Sequence, residues 1–215
     1  MSDPSGVLHL RNLGLREYGP TWRAMQAFTE QRDEATPDEL WLLQHHPVYT
    51  LGLNGDIRHM IRTTDIPVVK TDRGGQITYH GPGQLIAYVL VDLRRKNLGV
   101  RGLVSALENA VIGLLEQYGI VAKARRDAPG VYVDDRKIAS LGLRVRKGCS
   151  YHGLSLNVSS DLSPFYAINP CGYPGLEVTS LTALGVAVQP HEVAAPLTVE
   201  IMQTLNYERV IPARG

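Results

Sequence analysis

Cysteine is almost missing from this chain: 215 residues hold two, Cys149 and Cys171. Two are too few for a scaffold stapled by disulfides, and a reducing compartment is the expectation. Phenylalanine is as scarce, at two, against ten tyrosines. Long apolar runs are also lacking. The longest, residues 85–91, falls far short of the roughly 20 residues that cross a bilayer. No sign of charge dominates, with 22 Lys+Arg against 21 Asp+Glu, so nothing global favours nucleic acid or an anionic membrane. Residues 1–10 have no basic patch followed by an apolar stretch, which is the pattern of a signal peptide. Neither G-x-x-x-x-G-K-[ST] nor G-x-G-x-x-G occurs, and there is no C-x-x-C or paired histidine cluster to complete a zinc site. The expectation is a soluble, cytoplasmic protein with no metal, cofactor, nucleic acid or membrane.

What is present is ordinary globular material, 44% apolar and 20% charged. The length suits a single domain over residues 1–215 with a substantial core. Residues 7–10 read as a short strand. Residues 19–34 read as a helix with Trp22, Met25, Ala27 and Phe28 on one face. Residues 39–44 and 48–51 read as buried strands separated at His46-Pro47, because the proline keeps His46 out of helical geometry. Residues 54–60 read as a turn and a short helix, and 66–70 as a strand. Residues 85–93, apolar on both faces, predict a central strand. Residues 101–118 predict a helix buried along Leu103, Leu107, Ala110, Val111, Leu114 and Tyr118, with Gly119 as its cap. Residues 130–158 read as a hairpin and meander, and 192–205 as a last helix. The class is α+β, with mixed, mainly antiparallel sheets flanked by helices.

Chemistry concentrates in three places. Asn169-Pro170-Cys171-Gly172-Tyr173-Pro174-Gly175 holds a thiol on a loop stiffened by prolines, where glycines permit close approach of a ligand. A free cysteine is also among the most buried of residues, and an inert thiol is the bland reading. Cys149, among Arg146, Lys147 and Ser150, receives only that reading. A nucleophilic thiol needs a partner that takes its proton. The candidates are His45, His46, His80, His152 and Lys137, the last just after an Asp134-Asp135 turn. A hairpin lysine is normally solvated. One drawn into an apolar pocket gives up its proton more easily and can serve as a base. The third place is residues 73–84, RGGQITYHGPGQ, with four glycines in twelve residues. The short basic clusters at Arg94-Arg95-Lys96, Arg125-Arg126 and residues 144–147 suit an acidic protein partner. They lack the interleaved aromatics of a nucleic-acid surface.

Four segments together closely resemble the lipoyl(octanoyl) transferases. They are HPVYTLG from His46, RGGQITYHGPGQ from Arg73, KIASLG from Lys137 with Tyr151-His152-Gly153 and Leu156-Asn157 downstream, and NPCG from Asn169. The resemblance spans roughly residues 40–185 in the family's order. It implies a fold related to the biotin and lipoate protein ligases. It implies that Cys171 carries an acyl thioester and that Lys137 tunes or deprotonates it. It implies that Arg73, Gly74, Gly75, Gln76, Ile77, Thr78, Tyr79 and His80, with Ser140, Leu141, Gly142, Gly153, Leu154 and Ser155, line the substrate site. Serine at 155 departs from the alanine common in the family. The implied donor is octanoyl-acyl carrier protein. The implied acceptors are lipoyl domains of 2-oxoacid dehydrogenase complexes and the glycine cleavage H protein. Backbone N–H groups near Gly172, or those of Leu141-Gly142, are expected to face the oxyanion. The rival readings are an ATP-dependent lipoate or biotin ligase of the same fold, a non-enzymatic acyl-binding protein with an inert thiol, and a cysteine hydrolase.

Overall fold

The structure is a computed structural model that describes residues 6–213. Eleven strands and three α-helices form two sheets and their covering layers among the described residues. The first sheet has eight strands. At its centre β6 (Gln84–Leu90) lies between β2 (Asp38–His45) and β10 (Cys149–Asn157), antiparallel to both. Every residue of β6 is buried, as expected of an apolar central strand. The meander continues outward through β9 (Arg136–Arg146), β8 (Gly130–Val133) and β7 (Lys123–Ala124). Asp134 and Asp135, both at positive φ, make the two-residue turn between β8 and β9.

The other flank differs from the sequence expectation. β1 runs Val7–Arg16, far beyond residue 10, and pairs in parallel with β2 on one side and with β11 (Arg209–Pro212) on the other. Its outer half is polar and largely exposed, so it carries no alternating pattern; pairing with β2 extends it. Residues 39–44 and 48–51 also part company. β3 (Val48–Leu51) leaves the large sheet and joins a second one, between β4 (Val68–Lys70) and β5 (Thr78–His80).

The two faces of the large sheet have different cover. One packs on α2 (Val100–Gln117) and α3 (Pro190–Thr204), burying Leu103, Leu107, Val111 and Leu114 against Leu85, Val89, Leu154 and Leu156. Gly119, at φ +71, closes α2 as expected. The other face is only partly covered, by α1 (Tyr18–Gln31), whose Met25, Trp22 and Phe28 meet Trp41, Leu43, Ile86 and Tyr88. Ala27 does not share that face and is exposed. Beyond α1, the uncovered part of the face is bordered by the second sheet and by the Arg73–His80 segment. That gap is where the functional residues gather.

His45, fully buried at the end of β2, bonds the Arg16 carbonyl through Nδ1 (2.9 Å) and receives the Tyr88 hydroxyl at Nε2 (2.6 Å). Burial pushes its pKa down to about 4. Below pH 6.5 the unfolded chain then binds a proton that the folded chain refuses. Stability falls as pH drops from 6.5 to about 4, by about 3 kcal/mol at 1.36 kcal/mol per pH unit. His45→Gln is expected to shed that part of the slope, read as urea-unfolding midpoints at pH 7 and pH 5. An unchanged slope would refute the assignment. Buried His80 and His152 are lowered for the same reason and supply the remainder.

Candidate active site

Cys171 sits in a single tight turn, Pro170–Gly172, with left-handed backbone geometry at φ +56. That region is uncommon for a residue with a side chain and persists only where surroundings hold it. Here the Asn169 N–H donates to the His59 carbonyl (2.8 Å), and the Gly172 and Tyr173 N–H groups bond back to Asn169 and Pro170 (3.0 and 3.1 Å). Gly172 has φ +78, and a Cβ there would press on Gln76 at 3.1 Å. The Gly172 N–H is thus already spent inside the turn. The expectation that it faces an oxyanion is corrected.

Lys137 is 1% exposed, against the norm for a hairpin lysine. A β-bulge makes this possible. The β8–β9 register slips between Val131 and Tyr132, so Ile138 is the extra residue, and the slip re-aims Lys137 inward. Its Nζ lies 2.7 Å from Cys171 Sγ and 3.0 Å from the Pro129 carbonyl, and 5.2 Å from the centre of the Tyr132 ring. Gly130 makes room for it. A Cβ there would stand 2.4 Å from Lys137 Cε and 2.8 Å from the Ala139 carbonyl oxygen. The Glu108 carboxylate of α2 accepts the Gly130 N–H (2.9 Å) and fixes this corner. The chain just after Cys171 is clipped to the same strand. Lys137 N–H donates to the Glu177 carbonyl, and Thr179 N–H to that of Lys137, both at 2.9 Å. Thiol and amine are therefore held by one backbone assembly, although 34 residues separate them. None of His45, His46, His80 or His152 bonds the thiol.

Cys171 borders a cleft in the gap beside α1. Of the residues the sequence singled out, Arg73, Gly75, Gln76, Ile77, Thr78, His80, Ser140, Leu141, Gly142, Gly153, Leu154 and Ser155 line it. Gly74 and Tyr79 do not. Gly74 ties the loop to β9 by donating its N–H to the Leu143 carbonyl (2.9 Å). Tyr79 falls between Thr78 and His80 on a strand, so it turns to the opposite side and packs on Tyr49 and Phe165. The side chains of Leu141 and Leu154 join the core under α2 and α3, and their backbones form the cleft floor. The Leu143 C=O accepts from Gly74 on the side away from β10, and by the alternation of a regular β9–β10 ladder the Leu141 N–H shares that side.

Three lining residues escaped the sequence reading, Tyr18, Ile86 and Tyr88, and a fourth, His152, was not assigned to the cleft. Periodicity marked Ile86 and Tyr88 as core, and Tyr18 precedes the predicted helix. His152 was weighed as a partner of the thiol and stood in the Tyr151-His152-Gly153 motif. It has φ +62 in mid-strand, and its Nε2 lies 3.0 Å from Asp72.

Asp72 also accepts from Trp22 Nε1 (2.8 Å), Gln26 Nε2 (3.1 Å) and the Tyr151 hydroxyl, joining α1, the loop and β10. Burial pushes its pKa up, but the hydrogen bonds from His152, Tyr151 and Gln26 together outweigh it and hold the carboxyl well below the usual range. Asp72→Asn is expected to cost about 2 kcal/mol at pH 7, a loss of roughly 5 °C in Tm. The wild-type advantage is full above an unfolded carboxylate pKa of about 4 and shrinks as pH falls toward the lowered folded value. Equal melting of the two proteins at pH 7 would contradict it.

Arg73 is a buried cation with no carboxylate partner among the described residues. Its guanidinium bonds the Thr50 side chain and the Gly74 and Gln76 carbonyls. Burial lowers its pKa, and Tyr18, Cys171 and Tyr88 draw it back up. A buried positive charge thus stands in the wall of the cleft that Cys171 also lines.

The model of the lipoyl protein ligase A/B catalytic domain matches residues 17–202. An octanoyltransferase of Methylococcus capsulatus is 62% identical over 201 residues, 94% of this chain and 97% of the relative. A bipartite lipoate protein ligase from Thermoplasma acidophilum superposes with a TM-score of 0.71 at 20% identity, covering 95% of this chain and 88% of that one. A biotin protein ligase from Aquifex aeolicus gives 0.54 at 14%, covering 93% and 68%. The ligase-like α+β fold implied by the sequence is borne out, and the chain belongs to the lipoyl protein ligase A/B catalytic domain family, among its octanoyltransferases.

Proposed function

We propose that the enzyme moves an octanoyl group from acyl carrier protein to a lysine of lipoyl domains by way of a thioester on Cys171. The acceptors are lipoyl domains of 2-oxoacid dehydrogenase complexes and the glycine cleavage H protein, met in the cytoplasm. The observation that carries the reading is the 2.7 Å contact of Lys137 Nζ with Cys171 Sγ at the edge of the cleft beside α1.

In the first half-reaction the Lys137 amine takes the Cys171 proton, and the thiolate attacks the octanoyl carbonyl carbon. The bond from that carbon to the pantetheine sulfur breaks, and the departing sulfur takes the proton from Lys137. In the second half the acceptor amine attacks the Cys171 thioester. The carbon–sulfur bond breaks, and the amine's surplus proton passes through Lys137 to the Cys171 sulfur. One thioester is consumed, one amide forms, and both side chains return to their starting states. No ATP is required, because the donor is already activated. The Leu141 N–H and the Arg73 cation would meet the negative charge that develops on the carbonyl oxygen. Arg73, Gln76, Ile77, Thr78, His80, Ser140, Gly142, Gly153 and Ser155 would hold the acyl group and the end of the acceptor side chain. Gly75, Leu141 and Leu154 would join them through backbone.

Intact mass after mixing with octanoyl-acyl carrier protein, without ATP, tests this. One octanoyl group should appear on the protein and leave when apo lipoyl domain is added. Transfer that occurs only with ATP and free octanoate would replace this mechanism with that of a ligase.

A further inference from the structure

Resting on Cys171 as the acyl carrier, we infer that the cleft is a length gauge read across the sheet, with its stop at Ile86 and Tyr88 on β6. Exposure falls along the cleft in one direction. Gly75 is exposed, and Cys171, Gln76, Ser140 and Gly142 are half-buried, whereas Tyr18, His80, Ile86 and Tyr88 are buried. The thiol end is therefore the mouth, where a lysine carried on another protein can reach, and the far end is blind. An acyl chain on Cys171 must point inward.

The floor under that chain is a row of paired residues. Ser140 on β9 faces Ser155 on β10, and Ser155 faces Ile86 on β6. Ser140 also pairs with Gly130, the residue beside Lys137 Nζ, so the thioester carbonyl lies over β9. From β9 to β6 is two strand spacings, roughly 10 Å. Extended octanoyl, from carbonyl carbon to terminal methyl, spans roughly 9 Å at ordinary carbon–carbon bond lengths. Two more methylenes would overrun the row.

A gauge must not yield, and this stop is braced from outside. The Arg16 carbonyl fixes the His45 Nδ1 proton, which leaves Nε2 to receive the Tyr88 hydroxyl at 2.6 Å. Asn157 Nδ2 donates to the Thr179 carbonyl, so its oxygen accepts from Gln84 Nε2, and Gln84 Oε1 in turn receives His80 Nδ1–H at 3.2 Å. Tyr18 stacks flat on His80, with ring centres 6.2 Å apart. A longer chain would have to displace Tyr88 and His80, whose hydroxyl and Nδ1 are already bonded in a buried setting.

The test uses acyl carrier protein charged with hexanoyl, octanoyl, decanoyl or dodecanoyl, and reads the rate of adduct formation by intact mass. The wild type should load octanoyl fastest, with dodecanoyl slower by roughly tenfold or more. Ile86→Ala, which removes the stop, should move the optimum to decanoyl or longer. Ser155→Val, which thickens the floor midway, should move it to hexanoyl. Circular dichroism confirms that each variant is folded. Folded variants that keep the wild-type profile would overturn the gauge while leaving the thioester reading intact. Failure of the wild type to load any of the four chains would overturn both.

Discussion

Cys171→Ser is expected to lower octanoyl transfer on the order of 10³-fold or more, while Cys149→Ser leaves it unchanged. A hydroxyl holds its proton more tightly than a thiol, and any oxyester it formed would resist the acceptor amine. The turn itself should survive, because serine differs from cysteine by one atom and its φ +56 is imposed by the surrounding hydrogen bonds. Cys149 is the natural control. It is 3% exposed at the start of β10, burial pushes its thiol pKa up, and its Sγ makes a weak 3.9 Å contact with the Lys147 carbonyl. Steady-state transfer to a lipoyl domain gives the first readout. Alkylation gives the second, with Cys171 consumed well before Cys149. A serine variant within tenfold of the wild type would dispose of the covalent relay.

Lys137→Met is expected to lose about 10²–10⁴-fold in activity without losing stability. Methionine matches the unbranched stem and fills the space beside Tyr132 and Gly130, so no cavity opens. It also spares the fold a buried amine whose neighbours are a carbonyl, a thiol and a ring. Melting temperature should therefore hold or rise as turnover collapses. Part of the lost rate should return at high pH, where bulk base replaces the missing amine. Lys137→Arg is not a conservative alternative. A planar guanidinium does not fit beside Gly130, and it does not act as a base. Wild-type turnover in a folded methionine variant would leave Lys137 a structural residue only.

Much of the architecture was readable from pattern. The β6 run, the α2 stripe with its Gly119 cap, and the β8–β10 meander each carry a local signature of burial or turning. The parallel ladders of β1 with β2 and β11 carry none. Their strands are distant in sequence or half polar, and a period of two reports which face is buried, never which edge finds which partner. β5 was hidden inside the glycine-rich stretch for a related reason. Three residues are too few to show alternation, and pairing with β3 alone makes them a strand.

The chemical vocabulary was in the sequence. A thiol between proline and glycine, a lysine after a tight turn and a glycine-rich approach are residue types at spacings that a linear reading can weigh, and their joint order marks a family. Tertiary structure decided the rest. A one-residue bulge turns Lys137 from solvent to Cys171, and Gly130 and Glu108, which no motif flagged, keep the room it needs. α1 contributes Tyr18 to the blind end, and β6 contributes Ile86 and Tyr88, so residues that read as ordinary helix start and core become a wall. The reason is physical. Side-chain chemistry and local periodicity are properties of neighbouring residues, whereas reach, room and a closed end depend on distances between segments that only the folded chain brings together.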